Sequence, residues 1–223
     1  MQLYSIIIPI YNESRTLVTL LNELLEYSTL GHEVIIVNDG STDNSKEILK
    51  RYSFIKHVEL KSNYGKGIAL RIGLLQSKFN KVIISDGDLE LKTNDLKKMM
   101  ILNKKKNIYS CLGIRSIKLH PMRSGVDWGN FIFTFFFNLL HNTCYKDILC
   151  CAKSFYRDDI PIDKLKSIGF DIDVELLTFI TLNNGNKKIK QILIDYQRRS
   201  FEEGKKLKIS DGWIILKRII LCL

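Results

Sequence analysis

The sequence predicts an α/β fold with a mostly parallel central sheet and helices on both faces. In the first half of the chain, short β-branched runs alternate regularly with longer helical patterns. These runs are almost continuously apolar, which is typical of strands buried on both faces of a parallel sheet. Polar, glycine-containing turns follow the strands, at the edge where such sheets bind ligands. The turns are therefore the first candidates for binding segments.

Four strands and four helices are predicted in the first half. The predicted strands are 3–10, 33–37, 55–60 and 81–85. The first helix follows a cap at Asn12 or Ser14, and five leucines at helical spacing form its apolar face: Leu17, Leu20, Leu21, Leu24 and Leu25. The second helix ends at Tyr52, and the other two are predicted over 64–78 and 93–103.

The second half is less regular. Strands are predicted over 108–114 and 189–196, and a helix over 173–182. Between Asp127 and Lys146 lie 18 uncharged residues, WGNFIFTFFFNLLHNTCY. That length is borderline for a membrane span. Asparagine and histidine residues interrupt the run, so a buried or interfacial helix is expected, with a core position favoured over lipid contact.

Composition limits the class of protein. A chain of 223 residues with 45% hydrophobic residues is expected to form one domain, 1–223. The net charge of +10 favours anionic partners: nucleic acid, an acidic membrane surface or phosphate-bearing small molecules. The basic residues are spread among acids without aromatic interleaving, which disfavours nucleic acid. Five cysteines without CxxC spacing favour reduced thiols, and the amino terminus lacks a secretory signal, so a cytoplasmic location is expected.

An acidic cluster ends the fourth predicted strand. In the stretch VIISDGDLEL, Asp86, Asp88 and Glu90 stand at every second position. On an extended segment these three side chains point to one side. Neighbouring carboxylates repel one another unless a cation holds them, and Mg²⁺ or Mn²⁺ suits an oxygen-only set of ligands. A solvated acidic turn explains the stretch equally well.

Two further turns carry candidate residues. Asp39 follows the second strand in VNDGSTD, where a carboxylate can accept hydrogen bonds from a nucleobase, although turn and capping chemistry also explains it. GKGIAL places Lys66 between two glycines at a helix start, a position that can receive an anion. Leu70 stands where GxGxxG needs its third glycine, which disfavours a dinucleotide-binding fold.

The ordered segments PIYNE, VNDGSTDNS, GKGIAL and SDGDLE resemble the family-2 glycosyltransferases with the GT-A fold. The resemblance is greatest to the polyprenyl-phosphate (dolichyl-phosphate mannose synthase-like) sugar transferases. It continues through IRSIKLHPMRSGVDWGN, YKDILCCAKSFYRD, FDIDVELL and YQRRSFEEGKKLKISDGW. The resemblance implies a nucleotide-binding half, 1–105, and an acceptor-binding half, 106–223.

The resemblance also implies roles for individual residues. Asp86, Asp88 and Glu90 are expected to hold Mg²⁺ or Mn²⁺ on the donor diphosphate, with Asp88 as the principal ligand. Glu90 stands where family members often carry Gln, so its metal contact is the weaker expectation. The residues expected to bind the nucleotide sugar are Pro9, Tyr11, Glu13, Asp39, Lys66 and Asp86. A cation there would neutralise the charge that develops on the leaving diphosphate.

Four basic residues are expected at the reacting groups. By resemblance, Arg115 and Arg123 contact the acceptor phosphate, whereas Arg199 and Lys205 hold phosphates or close the site. A lipid phosphate is already anionic and needs no general base, but a sugar hydroxyl does. The carboxylates available as a base are Asp147, Asp171, Asp173 and Glu175, and the sequence does not choose among them.

The functional expectation is transfer of a sugar, with metal help and inversion, from a nucleotide-diphosphate sugar to polyprenyl phosphate. Transfer to a glycan hydroxyl in surface-polysaccharide or glycolipid assembly is the enzymatic alternative. A nucleotide-sugar-binding protein without turnover is the alternative of another class. The terminal stretch WIILKRIILCL is compatible with packing on the sheet or with the bilayer interface, so peripheral contact with the cytoplasmic face of a membrane is a further expectation.

Overall fold

The computed structural model describes residues 2–115, 125–184, 188–199 and 209–221. Within these ranges the chain forms a sheet of seven strands in the order β3-β2-β1-β4-β6-β5-β7. The strands are β1 Ser5–Ile10, β2 Glu33–Asn38, β3 Lys56–Glu59, β4 Lys81–Ile84, β5 Ser110–Arg115, β6 Lys153–Tyr156 and β7 Ile189–Ile194. The helices are α1 Ser14–Thr29, α2 Ser45–Leu49, α3 Lys66–Gln76, α4 Asp95–Met99, α5 Gly125–His141, α6 Ile172–Asn184 and α7 Ile209–Leu221.

The sheet is mostly parallel, as the sequence predicts. Strands β3, β2, β1 and β4 pair in parallel, and so do β5 and β7. The exception is β6, which lies antiparallel between β4 and β5. The sequence analysis missed this strand because half of its four residues, Lys153 and Ser154, are polar yet buried. A polar pair in so short a run gives no strand periodicity.

Both faces of the sheet are covered, which explains the continuous apolar strands. In β1, Ile6 and Ile8 pack with the leucine face of α1 in one buried cluster. The intervening Ile7 packs on the other face, with Leu70 of α3 and Leu176 of α6. Successive side chains point to opposite faces of a strand, so each apolar residue of β1 meets a helical layer.

Three predicted helices are shorter in the structure, and the first of them, α2, ends at Leu49 rather than at Tyr52. The helix expected over 64–78 begins at Lys66, because Gly65 has a φ of +98° that ends helical geometry there. A Cβ at Gly65 would also lie 2.5 Å from the carbonyl oxygen of Ile168. The helix expected over 93–103 is reduced to Asp95–Met99, and Asn103 instead forms a β-bridge with Ile108.

Helices α5 and α7 lie side by side at one flank. Their shared core contains Phe137 from α5 and Ile215 and Ile219 from α7, all buried. Most of the large apolar residues of α5 are nevertheless exposed, so the preference for a core position of the aromatic helix is wrong for most of its length. Within the ranges that the structure describes, no helix is long and apolar enough to cross a membrane.

Candidate active site

The candidate site lies at the carboxyl edge of β1, β2 and β4. Because these strands are parallel, the residues that follow them meet at one edge of the sheet. Pro9, Tyr11 and Glu13 come from the end of β1, Asp39 from the end of β2, and the acidic stretch from the end of β4. The topology therefore brings together the segments that the sequence singled out.

The three acids converge through a turn rather than along a strand. Strand β4 ends at Ile84, and Leu89 has a φ of +60°, a left-handed conformation that is rare for a bulky residue. The Asp88 carboxylate accepts a hydrogen bond of 3.0 Å from the Glu90 N–H across this turn. The expectation of an extended segment is therefore wrong, although Asp86, Asp88 and Glu90 still line one cavity of about 30 Å³.

Each acid of this cavity has a different partner. Asp86 Oδ1 lies 2.8 Å from Lys66 Nζ, whereas Asp88 has Arg199 Nη2 at the longer distance of 3.5 Å. Burial, together with the negative charges of Asp86 and Glu90, raises the pKa of Asp88 to about 7. The Asp88 carboxylate is therefore a place where an added cation would relieve repulsion.

Both carboxylate oxygens of Glu90 are already occupied. Oε2 accepts a hydrogen bond of 2.9 Å from the Tyr196 hydroxyl, and Oε1 accepts one of 2.9 Å from the Arg199 N–H. The backbone N–H of Gln197 also donates to the Glu90 carbonyl at 2.8 Å. These contacts attach the segment after β7 to the acidic turn. They favour a supporting role for Glu90, and its metal contact stays a prediction.

The chemistry of the cavity fits a divalent cation whose remaining ligands come from substrate and water. Among the described residues, no three histidine, cysteine or acidic side chains are grouped so that they could hold a metal ion. Mg²⁺ is commonly held by one or two carboxylates, with the remaining ligands supplied by phosphates and water. Asp88 and Asp86 supply carboxylate oxygens of this kind. The nearby basic side chains do not fully balance the negative charge of the three acids, as the raised pKa of Asp88 indicates.

Arg199 connects this cavity to the end of β1. Its two terminal nitrogens each lie 3.0 Å from an oxygen of Glu13, which gives a bidentate ion pair. Both side chains are largely buried. Glu13 is thus a partner of Arg199, and its contact with the donor nucleotide stays a prediction.

Asp39 organises the turn before α3. It is buried, and its two oxygens accept hydrogen bonds of 2.8 Å from the N–H groups of Tyr64 and Gly65. The turn is tight because Gly40 has a φ of +65° and a Cβ there would lie 2.3 Å from the Ser62 carbonyl carbon. These contacts are the turn chemistry that the sequence offered as an alternative, and a nucleobase contact stays a prediction.

Lys66 points towards carboxylates. Besides Asp86, its ammonium contacts Asp173 Oδ2 at 3.0 Å, and the side chain is 11% exposed. Asp173 Oδ1 in turn lies 3.2 Å from Nζ of Lys153, whose side chain is 1% exposed. Sequence reasoning missed Lys153, because a lysine beside small residues gives no sign that it is buried.

Arg115 lies at the end of β5 and lines the same cavity. Its Nε and Nη2 lie 2.7 and 2.8 Å from the two oxygens of Asp147, and its guanidinium lies 5.3 Å from the ring centre of Tyr196. Asn130 of α5 donates to Asp147 at 3.1 Å. Burial acts to raise the pKa of Asp147, but the Arg115 charge and these hydrogen bonds hold it below its ordinary value.

The remaining candidates for a general base also form ion pairs with basic side chains. Asp171 and Glu175 accept the Arg218 guanidinium of α7 at 2.9 and 3.3 Å. Glu175 also accepts the backbone N–H groups of Lys166 and Ser167. The other two predicted basic residues, Arg123 and Lys205, lie outside the described residues.

Known proteins resemble this chain in fold. Glucosyl-3-phosphoglycerate synthase from Mycobacterium tuberculosis, in a structure with Mn²⁺, UDP-glucose and phosphoglyceric acid, superposes with a TM-score of 0.75 at 16% identity. The superposition covers 98% of this chain and 79% of that one. It confirms the GT-A fold that the sequence predicts.

Relatives are also found by sequence. A dolichyl-phosphate beta-glucosyltransferase of Trichomonas vaginalis is 29% identical over 234 residues, which cover 92% of this chain and 68% of the relative. A poly-beta-1,6-N-acetyl-D-glucosamine synthase of Staphylococcus epidermidis is 37% identical over 106 residues, 46% of this chain and 26% of the relative. The chain spans about a third of the length of several other curated relatives that it matches.

A family model also matches the sequence. Residues 5–160 match the model described as Glycosyl transferase family 2. The match runs from β1 to just beyond β6 and so includes the three parallel strands that carry the candidate donor residues, together with the acidic turn. Because this match covers well over half of the sequence, the chain belongs to glycosyl transferase family 2.

Proposed function

We propose that this chain is a glycosyltransferase that moves a sugar from a nucleotide-diphosphate sugar to polyprenyl phosphate, with inversion and with the help of Mg²⁺ or Mn²⁺. The family match and the relatives named for transfer to dolichyl phosphate support this proposal. The site supports it through two neighbouring features: an under-compensated acidic cavity and an arginine that lines the same cavity.

Asp88 would be the principal metal ligand, and Asp86 would provide a second oxygen. The cation, when bound, neutralises the negative charge that develops on the diphosphate as it leaves the sugar. Pro9, Tyr11 and Asp39, at the ends of β1 and β2, are proposed to border the nucleotide. Arg199 is proposed to contact the diphosphate from a position that its ion pair with Glu13 defines.

The choice of a phosphate acceptor rests on one observation. The four carboxylates that would be candidates for a general base, Asp147, Asp171, Asp173 and Glu175, all form ion pairs with arginine or lysine. A carboxylate whose oxygens already pair with a guanidinium or an ammonium is not positioned to contact an acceptor hydroxyl. An acceptor phosphate is anionic without deprotonation, and Arg115, with Arg123 as its predicted companion, can attract it.

Helices α5 and α7, which follow Arg115 in the sequence, carry an apolar surface. We call it the α5–α7 apolar face, and it consists of exposed side chains on the two helices: Trp128, Phe131, Ile132, Phe135, Phe136, Leu139, Trp213, Ile214, Ile220 and Leu221. So large a set of exposed apolar residues is unusual for a surface that faces only water. We propose that this face lies in the interface of the cytoplasmic leaflet, where a polyprenyl phosphate would be within reach.

Transfer to a glycan hydroxyl is the second candidate, because the Staphylococcus epidermidis synthase is a relative by sequence. The two are separated by incubating the chain with Mn²⁺, radiolabelled UDP- or GDP-sugars, and either a short polyprenyl phosphate or an oligosaccharide. We expect label in a chloroform-soluble product that requires the polyprenyl phosphate. Label in the oligosaccharide alone would overturn the acceptor proposal. Calorimetric binding of the nucleotide sugar without release of a nucleoside diphosphate would overturn the enzymatic one.

A further inference from the structure

Four charged side chains form a row of ion pairs from the interior of the protein to the acidic cavity. Lys153 Nζ lies 3.2 Å from Asp173 Oδ1, and Asp173 Oδ2 lies 3.0 Å from Lys66 Nζ. Lys66 Nζ then lies 2.8 Å from Asp86 Oδ1. Side-chain exposure rises along the row, from 1% for Lys153 to 30% for Asp86. The row therefore joins a fully buried charge to a proposed metal ligand.

The fold places these residues together from distant segments. Lys153 opens the antiparallel strand β6 and pairs in register with Ile84, the last residue of β4. Asp86 follows that strand end by two residues. Lys66 begins α3 and Asp173 lies in the first turn of α6. The row thus crosses from the donor half of the chain to the acceptor half.

Stability alone does not account for so many buried charges. Replacing a buried ion pair by apolar residues of similar size is often neutral or stabilising. Lys153 is held further by a hydrogen bond that its ammonium donates to the Cys150 carbonyl. The result of this arrangement is that the Lys66 ammonium is shared between Asp86 and Asp173. A shared ammonium compensates Asp86 less than an undivided one would.

We propose that Asp173 and Lys153 are positioning residues, which hold Lys66 between two carboxylates so that Asp86 keeps part of its negative charge for the divalent cation. This inference rests on the proposed function, since it presupposes a cation at Asp86 and Asp88. Asp173 attracts Lys66 away from Asp86, and Lys153 keeps the Asp173 carboxylate ionised and fixed. The affinity of the acidic cavity for the cation is thereby set from inside the protein.

The proposal gives two substitutions with effects of opposite sign. Lys66→Met removes the competing ammonium and leaves Asp173 paired with Lys153, so Mn²⁺ should bind more tightly. The double variant Lys153→Met with Asp173→Asn removes one positive and one negative charge and leaves Lys66 to Asp86 alone, so Mn²⁺ should bind more weakly. We expect roughly a tenfold change in each direction, because a unit charge a few ångströms away alters a binding free energy on that order.

The test is a titration of the full chain with Mn²⁺ alone, in which electron paramagnetic resonance measures the free ion. Thermal unfolding of each variant is measured in parallel. Lys153→Arg, which keeps the charge, should bind Mn²⁺ like the wild type. Variants that lower the unfolding temperature but leave Mn²⁺ affinity unchanged would overturn the inference. If the double variant does not fold, Asp173→Asn alone decides the question: it also leaves Lys66 to Asp86, and an Mn²⁺ affinity equal to that of wild type would overturn the inference.

Failure of the proposed metal site gives a different result. Wild type that binds no Mn²⁺, or that binds it equally well after Asp88→Asn, would overturn the metal site and this inference together. Binding that depends on Asp88 but is the same in wild type, Lys66→Met and the double variant would overturn the inference alone.

Discussion

Arg199 and Glu13 form a bidentate ion pair with both distances at 3.0 Å, although 186 residues separate them in the chain. The pair joins the segment after β7 to the end of β1. The same arginine lies 3.5 Å from Asp88 and donates its backbone N–H to Glu90. One residue thus links the end of β1 to the acidic turn.

Replacing Arg199 by Gln should destabilise the protein, because it leaves the buried Glu13 carboxylate without its guanidinium partner. Loss of one member of a buried pair costs about 3–5 kcal/mol, and we expect about 2–4 kcal/mol here because Arg199 is partly exposed. Urea unfolding measures the change. The double variant Arg199→Gln with Glu13→Gln should recover part of the loss, and equal stability of the single variant and wild type would contradict the pairing.

Asp88→Asn should abolish turnover and leave the fold intact. We expect a loss of roughly two to three orders of magnitude in nucleoside diphosphate release, the scale of a lost electrostatic contact to the leaving group. Its free energy of unfolding should equal or exceed that of wild type, because the carboxylates of Asp86 and Glu90 repel the Asp88 charge. Glu90→Gln is the matched control. It keeps an acceptor oxygen for Tyr196 or Arg199, and it should retain more activity.

Replacing Phe131 and Phe135 by Ser should release the protein from vesicles, because both side chains are more than half exposed on the α5–α7 apolar face. Flotation with vesicles that contain anionic lipid measures the bound fraction. Leu75→Ser is the control, since Leu75 is 68% exposed on α3, a helix that contributes no residue to that face. Equal flotation of the phenylalanine variant and wild type would contradict membrane contact through this face.

His32 should make the protein less stable as the pH falls. Its ring Nδ1 accepts a hydrogen bond from the Tyr4 N–H at 3.2 Å, and burial lowers the pKa of His32 below its ordinary value of 6.5. His32 therefore takes up a proton near pH 6.5 in the unfolded chain, but only at a lower pH in the folded protein. The contribution is fully present above pH 6.5 and is lost as the pH falls below it, at a slope of at most about 1.4 kcal/mol per pH unit.

Urea unfolding at several pH values between 7.5 and 5.5 checks this prediction. His32→Gln should be less stable than wild type at pH 7.5, because it loses a fitted buried acceptor. Its stability should decline less than that of wild type over the same pH range. Parallel pH profiles for the two proteins would show that His32 does not contribute.

The donor half of the fold could be predicted from the sequence because its signals are local. The alternation of apolar runs and helical patterns predicted the first four strands and their mostly parallel sheet, but not the order of the strands in that sheet. The acids after β4 were recognised as a cluster, but the left-handed Leu89 that makes them converge could not be read from a sequence that has no glycine or asparagine there.

The partners of the charged residues could not be predicted, because they come from distant segments. Lys66 and Asp173 lie 107 residues apart, and nothing near either one indicates the other. The helix-start position of Lys66 suggested an anion in solution, whereas the structure supplies carboxylates from within. The burial of Lys153 could not be predicted either, because a lysine is expected at the surface.

The antiparallel direction of β6 has a consequence for how such a site can diversify. Since β6 begins beside the end of β4, the residues just before β6, including Asp147, approach Arg115 from a connection rather than from a strand end. Grafting residues 142–151 from a relative would therefore change the surroundings of Arg115, which we propose to bind the acceptor, and leave the turns after β1, β2 and β4 unchanged. If the proposed function holds, we expect acceptor preference to vary with this connection.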